Sequence, residues 1–225
     1  MESTRDTTLW GRWLRLAENE PDRESICVLL AGEEPQRWPR GQLIARAQQY
    51  AGWLAARGVA AGDTCALILR HHAEFYPLYM GIVALGALPA VLAYPNSRLH
   101  PDKFRSGLRG MAGRSGLDWI VSERALEAEL APLLDGSKVR ALLFPSTTEL
   151  EGEHQSNLQV DPDSPALLQH SSGTTGLQKG VVLSHRAILR HVDDYARAIE
   201  VRGDDRIVSW LPLYHDMGLI GSWLF

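Results

Sequence analysis

The sequence predicts an α/β fold, with mostly parallel sheet layers and helices packed over them. Three observations predict it. Short apolar runs alternate with amphipathic stretches of ten or more residues, the pattern of parallel strands joined by crossover helices. Several of those runs are apolar throughout, as strands covered on both faces are. Turn residues punctuate them, with Gly58, Gly62-Asp63 and Pro95-Asn96 as breaks.

The elements follow in order. Thr8–Glu18 places Leu9, Trp10, Trp13, Leu14 and Ala17 at helical spacing, and Glu20-Pro21 stops it. Ser25–Leu30 reads as an apolar strand. Arg40–Arg57 is the clearest helix: Leu43, Ile44, Ala47, Ala51, Leu54 and Ala55 mark one face, and Gly58 follows as a stop. Thr64–Leu69 is the next strand. Phe75–Tyr94 holds twenty residues without a charge, long enough to cross a bilayer. Pro77, Gly81, Gly86 and Pro89 interrupt it, so a buried helix over Phe75–Leu85 and a buried strand over Leu88–Ala93 are expected instead, with no transmembrane segment. Asp102–Ala112 carries Phe104, Leu108, Met111 and Ala112 on one side. Trp119–Val121 is a short strand, Glu123–Leu134 a helix and Val139–Phe144 a strand. Ser146–Ser164 is polar and turn-rich, a surface connection. Pro165–Gln169 and Val181–Leu183 are strands flanking a loop. Ser184 is placed to cap a helix over His185–Ile199, with Ile188, Leu189, Val192, Ala196 and Ile199 on its core face. Arg206–Trp210 is read as a last strand.

Composition bounds the function. The chain has 225 residues, a net charge of −4 and 45% hydrophobic residues, an ordinary globular composition. A chain of this size buries ~70% or more of its unfolded surface. The mild acidity leaves no basic footprint for nucleic acid. Cys27 and Cys65 each stand inside a strand-like apolar run, without C-x-x-C or metal spacing, so buried free thiols and a reducing cytoplasm are expected. Residues 1–24 are charged throughout and lack the apolar segment of a signal peptide. His71-His72 is expected to be a solvated turn.

The loop between the two late strands carries the chemistry. Ser171 to Gly180 contains Ser171, Ser172, Thr174 and Thr175 as hydroxyl donors, with Gly173, Gly176, Gly180 and Lys179. The glycines can take φ > 0, so backbone N–H groups can converge on one anion. Each hydrogen bond to a charged oxygen is worth roughly 1.5–3 kcal/mol net, so four or five of them hold a polyphosphate. The bland alternative is a polar hairpin turn. Against it, Lys179 is one of only three lysines, beside Lys103 and Lys138, in a chain with 23 lysines and arginines. A Walker A loop is excluded: counting from Gly173, Gln178 stands where glycine is required, and Gly180 follows the lysine. A second stretch, Trp210 to Gly221, reads Trp-Leu-Pro-Leu-Tyr-His-Asp-Met-Gly-Leu-Ile-Gly and puts His215 after the last expected strand, the edge where open α/β sheets bind ligands.

Together the two stretches resemble the adenylate-forming superfamily: acyl- and aryl-CoA synthetases, fatty acyl-AMP ligases and peptide-synthetase adenylation domains. The family loop is close to [ST]-S-G-[ST]-T-G-x-P-K-G, and nine of ten places agree here, Gln178 standing where proline is usual. The form around His215 looks most like the fatty acyl-AMP ligase branch. Outside these motifs, over residues 8–144, the likeness is looser. The resemblance implies that a carboxylate, a fatty acid first among candidates, attacks ATP to give acyl-AMP and pyrophosphate, and that the acyl group then passes to a thiol of CoA or of a carrier protein's phosphopantetheine. It implies that Ser171, Ser172, Gly173, Thr174, Thr175, Gly176, Lys179 and Gly180 hold the outer phosphates of ATP, with Thr175 nearest Mg²⁺. Lys179 and His215 would serve catalysis, His215 by orienting the carboxylate and α-phosphate. Met217 and Gly218 would border the acyl pocket, or simply pack their helix. His170, beside the loop, could touch the nucleotide. It also implies that 1–225 is an incomplete N-terminal part of the AMP-binding domain, with a C-terminal domain absent and little activity alone. An acyl-CoA synthetase and a peptide-synthetase-type domain remain alternatives within the family, and a catalytically silent scaffold or an unrelated NTPase outside it.

Overall fold

The computed structural model describes residues 4–95, 104, 106, 108–110, 112–113, 116–150, 160–171 and 179–224. Its centre is a four-stranded parallel sheet in the order β4-β3-β5-β6, formed by β3 (Thr64–Ile68), β4 (Leu88–Val91), β5 (Trp119–Ser122) and β6 (Ala141–Leu143). Two antiparallel pairs flank it in sequence: β1 (Glu24–Val28) with β2 (Gln36–Pro39), and β7 (Pro165–Ser171) with β8 (Lys179–Ser184).

The sheet is covered on both sides because its strands alternate between two cores. Cys65, Leu67, Val91, Trp119, Val121 and Leu143 join the first core, with α1 (Leu9–Asn19), α2 (Arg40–Ala56) and α3 (Phe75–Ala84). Ala66, Ile68, Ala90, Leu92 and Ile120 join the second, with helical Phe104, Leu108 and Ala112 and the turns carrying Leu126, Leu130 and Leu133. Successive side chains of a strand point to opposite faces, so a run apolar at every position feeds two layers at once. Among the described residues, no helix is long and apolar enough to cross a membrane.

Local chemistry sets the helix ends. Thr8 caps α1, its hydroxyl accepting from Gly11 N at 3.2 Å. The chain leaves α2 by a Schellman turn: Gly58, at φ +90°, bonds to Ala55 O, and Val59 N to Leu54 O. Helices α2 and α3 meet at Gly81, where a Cβ would lie 2.7 Å from Ala47 O. Ser184 caps α4 (His185–Ala198), accepting from Ala187 N at 3.2 Å. Below the sheet, Asp63 ties the amino ends of three strands: its carboxylate accepts from Ala60 N and Trp119 Nε1, both at 2.9 Å, and from Arg140 at 3.0 Å.

Several expectations need correction. Glu123–Leu134 is not one helix but a 3₁₀ turn, a single α turn at Glu127–Leu130 and a second 3₁₀ turn. Pro132, which has no N–H to donate, sits in the last of these. Arg206–Trp210 is not a strand: it has no ladder partner among the described residues, and Val208 and Trp210 are 81% and 90% exposed. Cys65 is buried as expected, but Cys27 is exposed, because β1 pairs only with the short β2 and little covers its outer face. Strand β2 itself went unread. Ile199 ends α4 exposed instead of in the core. His72 is not fully solvated: burial depresses its pKa, and it lines a cleft.

Candidate active site

Strands β7 and β8 build the site's base. They pair from Pro165↔Ser184 through Gln169↔Val181 and His170↔Gly180 to Ser171↔Lys179. The ladder therefore ends with the first hydroxyl residue of the loop opposite its lysine. Ser172, Gly173, Thr174, Thr175 and Gly176 fall in the segment 172–178, which lies outside the described residues. The antiparallel pair holds because Ala166, Leu167 and Leu168 are buried against the two cores. His170 is also buried, one residue before the loop.

The second motif comes to the same end of β7. Gln169 donates from Nε2 to the carbonyl of Tyr214 at 3.2 Å. The Tyr214 ring stands edge-on to Tyr94, just past β4, with ring centres 6.3 Å apart. Tyr94, beyond the carboxyl end of β4, and Gln169, near the carboxyl end of β7, thus converge on the residue before His215. His215 is exposed and does not end a strand; it caps a short helical turn, Asp216–Gly218. Its N–H donates to Pro212 O at 3.1 Å, and its carbonyl accepts from Gly218 N at 3.1 Å and Leu219 N at 2.9 Å. The imidazole is therefore presented to solvent from a backbone knot bonded on both sides.

Met217 and Gly218 behave differently from each other. Met217 is 58% exposed. Gly218 is buried, and a Cβ there would lie 2.3 Å from Pro212 O, so this position closes the turn and does not line open space. The chain then runs through a π-helical segment, Leu219–Leu224, whose Trp223 packs on Phe75, Tyr76 and Tyr79 and stacks with Trp13.

Among the described residues, no three His, Cys, Asp or Glu stand together to hold a metal.

Sequence reasoning missed the bond between Gln169 and Tyr214. The signal was a lone amide side chain after three apolar residues in a strand, since a polar group in such a place needs a partner. It also missed the crevice between β3 and β5, where the strand order reverses. A cleft of about 520 Å³ there is lined by Tyr50, His72, Glu74, Glu123, Phe144 and Glu149. Its carboxylates are already engaged, Glu74 by Tyr50 at 2.8 Å, Glu123 by Arg70 at 2.6 Å and Glu149 by Arg57 at 3.0 Å.

Comparison with known proteins adds to this geometry. The AMP-binding enzyme family matches residues 14–225. A 3-aminoavenalumate diazotase of Streptomyces is 32% identical over 164 residues, 70% of this chain and 27% of its own. The 4-coumarate–CoA ligase 5 of Oryza sativa subsp. japonica is 27% identical over 210 residues, 88% of this chain and 38% of its own. The chain spans about a third of the length of the curated relatives it matches. The crystal structure of a fatty acyl-adenylate ligase from L. pneumophila, in complex with acyl adenylate and pyrophosphate, superposes with a TM-score of 0.82 at 22% identity, covering 97% of this chain and 37% of that one.

Proposed function

Since this chain belongs to the AMP-binding enzyme family, we propose that it is the N-terminal part of an enzyme that activates a carboxylic acid with ATP. A carboxylate oxygen forms a bond to the α-phosphorus, the bond from that phosphorus to the bridging oxygen breaks, and pyrophosphate leaves. A thiol of CoA or of a carrier protein's phosphopantetheine then loses its proton and takes the acyl group, and AMP leaves. The single observation that carries the reading is the meeting of the two motifs. The strand pair ending in Ser171 and Lys179 is bonded, through Gln169, to the residue before His215.

The reaction brings two anions together, so positioning and charge screening supply most of its acceleration. In this reading Ser171, Ser172, Gly173, Thr174, Thr175, Gly176 and Gly180 bind the outer phosphates, and the Lys179 ammonium offsets their charge. The Thr175 hydroxyl would help hold Mg²⁺ brought by the nucleotide, and the ion would supply further screening. His215 orients the carboxylate against the α-phosphate. Met217, exposed beside it, borders the acyl chain, while the packing of Gly218 on Pro212 gives that residue the job of shaping the turn. A fatty acid is the favoured substrate class, and the cytoplasm the place of action.

The test is carboxylate-dependent exchange of labelled pyrophosphate into ATP by the complete protein, run with fatty, aryl and amino acids. Label is expected to appear in ATP, with AMP and pyrophosphate as the products of net turnover. ADP and inorganic phosphate would mean an NTPase. Equal ATP affinity and no turnover in both wild type and Lys179→Ala would leave a silent scaffold.

A further inference from the structure

We infer that Gln169 is a positioning residue: it holds the backbone at His215 to the carboxyl end of β7, the strand that leads into the proposed phosphate loop. The inference rests on the adenylating function proposed above. Gln169 Nε2 reaches the carbonyls of Tyr214, at 3.2 Å, and His170, at 3.4 Å. Both partners are acceptors, so the amide nitrogen must face them. The backbone of Gln169 is fixed in the ladder opposite Val181, two residues before Ser171. At the other end, the Tyr214 carbonyl belongs to the same planar peptide unit as the nitrogen and Cα of His215. Holding that oxygen therefore orients the plane from which the imidazole departs. The backbone of His215 is further held by its bonds to Pro212, Gly218 and Leu219. One side chain thus joins the base of the loop to the base of the histidine, across 45 residues of sequence.

The reaction needs the carboxylate in line with the bond that breaks. A displacement of about 1 Å can cost two orders of magnitude in such a geometry. Cutting the link should leave ATP binding at the loop nearly intact and slow the chemical step.

The experiment is a double-mutant cycle in the complete protein, read by carboxylate-dependent ATP–pyrophosphate exchange, with thermal unfolding of every variant alongside. Gln169→Leu should lower kcat about tenfold, the loss of one hydrogen bond's worth of positioning, with KM for ATP unchanged within about twofold. In a His215→Ala background the same substitution should cost less than about twofold, because its route of action is gone. Gln169→Glu preserves shape but carries a donor only when protonated, so its rate relative to wild type should rise as the pH falls. Equal fractional losses in both backgrounds, a loss confined to KM, or unfolding of both Gln169 variants would overturn the inference while leaving the function standing. A wild-type protein that exchanges no pyrophosphate with any acid would overturn both.

Discussion

Gly218 acts by what it lacks. Its amide bonds back to His215 O at 3.1 Å, and the space its side chain would fill is occupied by Pro212 O, 2.3 Å from an ideal Cβ. Backbone, unlike a flexible side chain, has nowhere to go, so Gly218→Ala should force the turn open and carry His215 with it. The expected result is a fall in pyrophosphate exchange of tenfold or more with only a modest drop in melting temperature, since the turn lies at the surface; unchanged exchange would show that the turn tolerates the shift. Lys179 offers a complementary case. If it screens the outer phosphates, Lys179→Ala removes a charged hydrogen bond of about 1.5–3 kcal/mol, a loss of roughly tenfold to hundredfold in ATP affinity by calorimetry. Lys179 could be proposed from the sequence, because hydroxyls, glycines and an ammonium stand side by side in one loop. Gln169 could not. Its partner is a backbone carbonyl 45 residues away, and a sequence shows no side-chain aim.

At the scale of elements, what was legible was what is built locally. Helices α1 and α2 were read within a residue or two because a buried face writes its period into the sequence, and α3, buried all round, because an uncharged run broken by Gly86 and Pro89 is too interrupted to be anything but a buried helix followed by a strand. Strands β3, β4 and β5 were read because both their faces are covered. The segment 206–210 has the same apolar character as a strand and is not one, because pairing needs a neighbour and no run of five residues states whether it has one. Glu123–Leu134 had a helical pattern of leucines, yet Pro132 and the tight turns around it keep the geometry 3₁₀. The α2–α3 contact yields a direct test of packing. Gly81→Ala would put a methyl group 2.7 Å from Ala47 O and 2.8 Å from Tyr50 Cβ. Wedging two buried helices apart costs about 1–3 kcal/mol. Urea unfolding should show a lower midpoint at an unchanged slope, and an unchanged midpoint would mean that the helices re-pack without strain.

Across the whole molecule, the start of the chain is tied to its later half by a buried hydrogen bond. The N–H of Leu9, at the start of α1, donates to Nδ1 of His185, at the start of α4, at 3.2 Å. The exposed Arg12–Asp193 pair joins the same helices at 2.6 Å, but pairs in water contribute little. His185 is different, since burial lowers its pKa from 6.5 to about 4. Between those values the unfolded chain binds a proton that the folded chain refuses, so stability falls as the pH drops from about 6.5 toward 4. Burial lowers His71 and His72 in the same direction. Asp63 takes over at lower pH. Burial works to raise its pKa, but the bonds from Trp119, Ala60 and Arg140 outweigh that and hold the carboxylate below its ordinary value; its contribution is lost as the pH falls through that lowered value. The upper part of the acid limb therefore belongs to the histidines. His185→Gln keeps an oxygen able to accept from Leu9 and removes the titration. Its urea-unfolding stability should then fall less steeply than that of wild type between pH 6.5 and 4, by up to ~1.4 kcal/mol per pH unit. Parallel curves for the two proteins would place the proton uptake elsewhere and leave the α1–α4 link without a role in acid unfolding.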